Sequence, residues 1–146
     1  MDPRAATECL YETLATRRIE AGLPALTRFP GFEPLAREHS AYMASSRVLG
    51  HAIPGVTQGV ADAAWERFHP KARHTEDVAA AYTVKEAFDF VWGSPGHRRN
   101  LLCLDCTHVS IGSALEPVAT GPARLFVTWE LLSFPDGTPV EIQKLR

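Results

Sequence analysis

Histidine and glutamate side chains commonly form metal-binding and catalytic sites, and three candidates for such a site are His51, Glu76 and His97. Each stands in or beside a predicted loop or helix end, where side chains from distant parts of a chain can converge in a cleft. Two imidazoles and a carboxylate could hold a divalent metal such as zinc, with water completing its coordination. They could equally act as a general acid and base, because histidine titrates near neutral pH. The spacing alone leaves both uses open.

Two helices are predicted ahead of His51. The first runs from Ala5 to Ala21, with Leu10, Leu14 and Ile19 near helical spacing, and Gly22 and Pro24 end it. The second starts near Pro30 or Gly31 and runs to about Ser46, and its apolar residues form one stripe: Phe32, Leu35, Ala36, His39 and Met43. Within that stripe, His39 is expected to be a core histidine that is hydrogen-bonded to the backbone.

The middle of the chain is predicted to hold two further helices, on either side of Glu76. A short helix covers Val60 to Phe68, and a polar connection follows from Pro70 to Thr75. Thr83 and Glu86 form a capping box, which predicts a helix from Val84 to about Gly93. The sequence Ser94-Pro95-Gly96 then breaks this helix just before His97, and Ser94 is expected to cap or end it.

The last third of the chain has the patterns of strands. Alternating residues predict a strand around Val109 to Ser113. Residues 125–132 are apolar except at Thr128 and Glu130, which predicts a buried central strand containing Trp129 and Leu131. Val140 to Ile142 could add a short last strand. Since helices come first and strands last, the predicted class is α+β, with helices on an antiparallel sheet, in a single domain over residues 1–146.

The other histidines are assigned no function. His69 and His74 are predicted to lie in loops, and His108 is predicted to begin a strand and face solvent.

The chain has three cysteines: Cys9, Cys103 and Cys106. Their number is odd, and three cysteines are too few for a disulfide scaffold. Cys103-Leu104-Asp105-Cys106 is a lone CxxC, whereas a zinc site commonly takes its four ligands from two such pairs. We expect structural or incidental thiols. A disulfide, either local or to Cys9, and a metal site remain the alternatives.

Composition excludes several classes of protein. Fifteen Lys and Arg against seventeen Asp and Glu give a net charge of −2, so the chain lacks the basic face that nucleic-acid binding requires. No apolar run approaches the roughly 18 residues that span a bilayer, so no integral membrane segment is expected. The start, Met1-Asp2-Pro3-Arg4, has no apolar core of the kind that marks a signal peptide.

Several segments occur in an order that resembles the CAP superfamily, and in particular its short bacterial members. This superfamily groups cysteine-rich secretory proteins, insect venom antigens and plant pathogenesis-related proteins. The segment from Leu10 to Leu26 is similar to the family opening "N..R...GL..L", and Leu35 to Ala44 is similar to the second helix with its central His and Met. The most specific pieces are SPGHRRNLL, which resembles "W..SPGHR.NIL", and THVSIG, which resembles "FT.VGIG". The resemblance covers roughly residues 8–134.

The resemblance carries expectations for fold, location and site. It implies an α-β-α sandwich, usually secreted, with a cleft over the sheet, and so a protein that acts outside the cell or in its envelope. The cavity histidines of the family fall on His51 and His97, and its first cavity glutamate falls on Glu76. Its second glutamate aligns with Ser94, so the full set of two His and two Glu is absent. Asp77 replaces the asparagine that follows the first glutamate.

Three functions fit these expectations. The first is a non-enzymatic binding module whose cleft is lined by His51, Glu76 and His97. It would take a small apolar ligand, a lipid, a peptide or a divalent metal such as zinc on the two histidines. The second is a metal-assisted hydrolase with Glu76 as the base. The third is a structural or protein-interaction domain whose His-Glu cluster only ties elements together. A missing second acid favours binding over hydrolysis.

Overall fold

The computed structural model describes residues 1–51 and 73–134. Within them, the helices are α1 (Pro3–Glu20), α2 (Glu33–Ser46), α3 (Val84–Trp92) and α4 (Pro95–Leu101), and a 3₁₀ turn at Pro30–Phe32 leads into α2. The strands are β1 (Thr27–Arg28), β2 (Arg73–Ala81), β3 (His108–Leu115) and β4 (Leu125–Ser133). The helix predicted at 60–68 and the strand predicted at 140–142 lie outside the described residues.

The four strands form one sheet in the order β1-β3-β4-β2. β4 pairs antiparallel with both β2 and β3, and the two-residue β1 pairs parallel with β3. As predicted, β4 is the buried central strand, and Trp129 and Leu131 are fully buried in it. The α+β class and the α-β-α sandwich are confirmed, but the short β1 makes the sheet mixed rather than wholly antiparallel.

The two faces of the sheet are covered by different helices. α2 covers one face, where Ser40 donates a hydrogen bond to the Gly112 carbonyl at 2.9 Å. A side chain at Gly112 would overlap the α2 backbone at Ala36 and Arg37, so glycine allows this close approach. α1, α3 and α4 cover the other face, where the main core includes Leu10, Leu14, Phe88, Leu101, Trp129 and Leu131.

Local capping explains where α3 begins and where α1 ends. The Thr83 hydroxyl accepts a hydrogen bond from the Glu86 N–H at 3.1 Å, so α3 starts where the capping box predicts. Gly22 takes a left-handed φ of 80° after α1, and the Leu23 N–H donates to the Arg18 carbonyl at 2.8 Å. Ile19, which was expected on the apolar side of α1, is 62% exposed.

The cysteines adopt one of the alternatives that the sequence left open. Cys103 and Cys106 form a disulfide with each other, and Cys9 is exposed and free. The buried Arg18 guanidinium supports this loop from inside, because its Nη1 donates to the carbonyls of Leu101 and Cys103 at 2.9 and 3.0 Å. The expectation of incidental thiols is therefore wrong for this pair.

No helix among the described residues combines the length and the apolar character that a membrane-spanning helix needs.

Candidate functional site

His51 is positioned by a histidine of α2. α2 ends at Ser46, and Arg47, with a left-handed φ of 58°, turns the chain away from it. The His39 Nε2 then donates a hydrogen bond to the Gly50 carbonyl at 2.8 Å. As predicted, His39 is a buried histidine bonded to backbone. This bond holds the residue directly before His51, so the loop leaves α2 in a fixed direction.

The structure brings His51 and Glu76 together. The Nδ1 of His51 lies 2.9 Å from the Oε1 of Glu76, and the His39 Nε2 lies 3.7 Å from the same oxygen. The His51 side chain is 60% exposed, whereas that of Glu76 is 10% exposed. An accessible imidazole therefore stands in front of a nearly buried carboxylate.

Glu76 is held in its anionic form. Burial acts to raise its pKa, but hydrogen bonds with Glu130 and His51 and the charges of His39 and His51 outweigh burial, so the pKa lies below its ordinary value. Glu130 stands directly opposite Glu76 across the β2–β4 pair and is fully buried.

His74 belongs to the same group of side chains. It lies two residues before Glu76 in β2, so both side chains point to the α2 face of the sheet. Its Nε2 contacts the Oε2 of Glu130, and its ring packs edge-on against Phe32 with the centroids 5.9 Å apart. The prediction that His74 is a loop histidine is wrong, because β2 begins at Arg73 and buries the ring.

His97 contacts residues that are near it in the sequence. It belongs to α4, and its Nδ1 is 2.9 Å from the Ser94 hydroxyl, while its ring lies 5.7 Å from that of Phe90. Its charge acts on Asp77, which points to the opposite face from Glu76. Ser94 occupies the N-cap position of α4, but its side chain makes no capping bond and contacts His97 instead. Within residues 1–51 and 73–134, no ion pair joins His97 to Glu76.

Asp77 is a buried carboxylate with one partner. The Asn100 side chain donates to its Oδ1 at 2.8 Å, while its Oδ2 has no hydrogen-bond partner among the described residues. Burial raises the pKa of Asp77 to about 6, against the opposing effects of the Asn100 bond and of His97 and His51.

The ligand set that the resemblance implies differs from the groups of potential ligands that lie close together in the described part of the chain. Among the described residues, two groups of three potential ligands have their donor atoms within 4.8 Å of one another: His74, Glu76 and Glu130, and Cys103, Asp105 and Cys106. The second group includes the disulfide sulfurs, which are not thiolates. The first contains neither His51 nor His97. His51 contacts Glu76, whereas no hydrogen bond or ion pair among the described residues joins His97 to Glu76.

Sequence reasoning therefore missed His74 and Glu130. Two signals could have found them. Glu130 is the only ionisable residue in β4, and a buried charge requires a partner. His74 and Glu76 are two residues apart, so a strand would place them on one face. His108 was also misplaced: it does begin β3, but it is buried and packs edge-on against Phe29 and Phe134.

A sequence profile of the cysteine-rich secretory protein (CAP) family matches residues 11–128, which is most of the chain. The chain belongs to the CAP family. No match to a curated protein is found. The residues that match the CAP profile include β2, which carries Glu76, and the SPGHRRNLL segment.

Three bacterial structures share this CAP fold. An outer surface protein from Borrelia burgdorferi superposes with a TM-score of 0.67 at 19% identity, over 89% of this chain and 95% of its own. An extracellular protein containing an SCP domain from Bacillus anthracis gives 0.73 at 19% identity, over 90% of this chain and 41% of its own. A cysteine-rich secretory protein from Staphylococcus aureus gives 0.65 at 18% identity, over 91% and 40%. The chain thus spans about two fifths of the length of the last two proteins.

Proposed function

We propose that this chain is a non-enzymatic binding module that acts outside the cytoplasm, and that it binds a divalent metal such as zinc at His51 and Glu76. The observation that carries the proposal is the 2.9 Å contact between the exposed His51 imidazole and the nearly buried Glu76 carboxylate. Such a pair offers one nitrogen and one oxygen ligand to an ion that arrives from solvent.

The chemistry around Glu76 favours a metal ion over an apolar ligand or a lipid. The side chains that surround this carboxylate are His39, His51, His74 and Glu130, all of them polar and titratable. An apolar molecule placed there would bury these groups without replacing their hydrogen bonds, which is costly. A cation would instead be attracted by the anionic Glu76.

Two features support binding rather than hydrolysis. Glu130, the second carboxyl beside Glu76, is fully buried, so it does not reach solvent as a second acid would need to. The Ser94–His97 contact resembles part of a nucleophilic triad, but no carboxylate in the described part of the chain lies within hydrogen-bond distance of His97.

Two observations support action outside the cytoplasm. The similar structures are described as outer surface, extracellular and secretory proteins. The Cys103–Cys106 disulfide is of a kind that persists in oxidising compartments and is rare in the cytosol.

The test is calorimetric titration of zinc into metal-free protein carrying Cys9→Ser, which removes the exposed thiol as a competing ligand. We expect zinc binding in this background and its loss in His51→Ala and in Glu76→Gln. Glu38→Gln, at an exposed position on α2, is the matched control and should bind as the parent does. Absence of binding by the parent up to about 1 mM zinc would refute the proposed metal site. If the two variants also proved strongly destabilised, the structural role would be favoured.

A further inference from the structure

We propose that His74 and Glu130 complete the zinc site, so that the ligands are Glu76, His74 and Glu130 from the sheet and His51 from the loop after α2. This inference rests on the proposed function, since it names the remaining ligands of that site. It replaces His97 and the absent second glutamate with residues from other positions of the chain.

The register of the sheet brings these side chains together. Glu76 and Glu130 are direct partners across the β2–β4 pair, and His74 is two residues from Glu76 on the same face. Directly opposed residues have Cβ atoms about 5 Å apart, and diagonal neighbours are within reach of long side chains. The donor atoms of His74, Glu76 and Glu130 accordingly lie within 4.8 Å of one another.

These separations are close to what zinc requires. Zinc–nitrogen and zinc–oxygen bonds of about 2.1 Å in a tetrahedron place neighbouring donor atoms about 3.4 Å apart. Donor atoms that lie within 4.8 Å of one another reach that spacing with small side-chain adjustments. His51, whose Nδ1 is already 2.9 Å from Glu76, supplies the ligand nearest to solvent.

Charge balance supports the same set. Two carboxyl groups face each other where Glu130 is fully buried and Glu76 is 10% exposed. Two buried like charges repel each other strongly unless a proton or a cation lies between them. A divalent ion bound to two carboxylates and two neutral imidazoles makes a neutral unit, which greatly reduces the cost of burying the charges.

Neighbouring groups hold the ligands in place. Phe32 packs against the His74 ring, and the hydrogen bond from His39 to Gly50 fixes the start of the loop that carries His51. Supporting contacts of this kind set the orientation of metal ligands. His97, in contrast, contacts Ser94 and belongs to neither of the two groups of clustered donor atoms in the described part of the chain.

The experiment is zinc titration, by competition with a chromophoric chelator, of the Cys9→Ser protein and of Glu130→Gln, His74→Gln and His97→Gln made in it. Loss of a ligand should weaken zinc affinity at least as much as loss of a supporting residue, which costs roughly 10- to 100-fold. We therefore expect a loss of at least about tenfold in Glu130→Gln and in His74→Gln, and less than about twofold in His97→Gln.

Cobalt(II) provides a second readout, because its visible absorption depends on the number and type of ligands. The spectrum of the cobalt-loaded parent should be unchanged in His97→Gln and altered in His74→Gln. Circular dichroism checks that each variant is folded. If Glu130→Gln does not fold, the zinc affinity and the cobalt spectrum of His74→Gln test the proposed ligand set.

The outcomes separate this inference from the proposed function. Parent affinity in His74→Gln and Glu130→Gln, with loss in Glu76→Gln and His97→Gln, overturns the inference and leaves a zinc-binding cleft. Absence of zinc binding by the parent removes the proposed function itself, and the ligand set with it.

Discussion

Replacing Asp77 with Asn is expected to remove a large pH dependence from the stability of the metal-free protein. The Asp77 side chain is fully buried, its Oδ1 accepts a hydrogen bond from Asn100 at 2.8 Å, and its Oδ2 has no partner among the described residues. Asparagine keeps the acceptor at Oδ1 and cannot ionise. The substitution therefore isolates the cost of a buried negative charge.

The sign and size of the effect follow from the pKa of Asp77. Burial raises this pKa from 3.8 to about 6, so between these values the folded state binds more protons than the unfolded state. The stabilising contribution of protonated Asp77 is fully present below pH 3.8 and is lost as the pH rises through about 6. The difference between the two pKa values corresponds to roughly 3 kcal/mol.

The assay is urea unfolding of the parent and of Asp77→Asn, with EDTA present, at steps between about pH 3.5 and about pH 8. The difference in unfolding free energy between the two proteins should move in favour of the variant by roughly 3 kcal/mol across this range, with most of the change between about pH 4 and pH 6. Asp89→Asn, an exposed substitution on α3, controls for loss of a charge. A constant difference between parent and Asp77→Asn at every pH would refute the reasoning.

Three substitutions test the fold, each by chemical unfolding at one pH. Thr83→Ala removes the 3.1 Å capping bond of α3 and should lower the unfolding free energy by roughly 1 kcal/mol. An unchanged unfolding midpoint would show that this bond does not stabilise α3. Trp129→Ala leaves a cavity under the helices and should cost about 3–5 kcal/mol, so a loss below about 1 kcal/mol would contradict its burial in β4. Gly112→Ala forces a methyl group into the α2 backbone and should cost about 1–3 kcal/mol or more. Gly96→Ala is its control, because a methyl group there meets open space, and it should lower the unfolding free energy much less than Gly112→Ala does.

The elements that the sequence predicts well are those whose boundaries are set by local chemistry. α3 lies between the Thr83 cap and Gly93, and β4 is a run of apolar residues long enough to be a buried strand. α4 was missed because Pro95-Gly96 was interpreted only as a break, although proline is also favoured in the first turn of a helix.

β2 was missed because its first five residues are polar or charged. Arg73, His74, Thr75, Glu76 and Asp77 resemble a loop in composition. Burial is acceptable for three of them because partners exist elsewhere in the chain: Glu130 for His74 and Glu76, and Asn100 for Asp77. Such pairing over long sequence distances leaves no local pattern.

The same missing strand explains the result for the candidate site. Because residues 70–75 were predicted to be a polar connection and no strand was predicted at Glu76, the sequence allowed Glu76 to be grouped with both His51 and His97. Alternation along β2 points Glu76 toward α2 and Asp77 toward α4. The His51–Glu76 contact is present in the structure, and the charges of His97 and His51 both act on the neighbouring Asp77.

The position of β4 has a consequence for how the chain can fold. β4 forms both antiparallel pairs of the sheet, yet it is the last of the described strands along the chain. Neither pair can form until residues 125–133 have left the ribosome, and contacts between distant residues are slow to form in any case. Until then, the apolar side of α1, made about a hundred residues earlier, has no sheet to cover. A nascent or truncated chain that ends before Leu125 therefore lacks both antiparallel strand pairs, and closure of the core waits until β4 has been made.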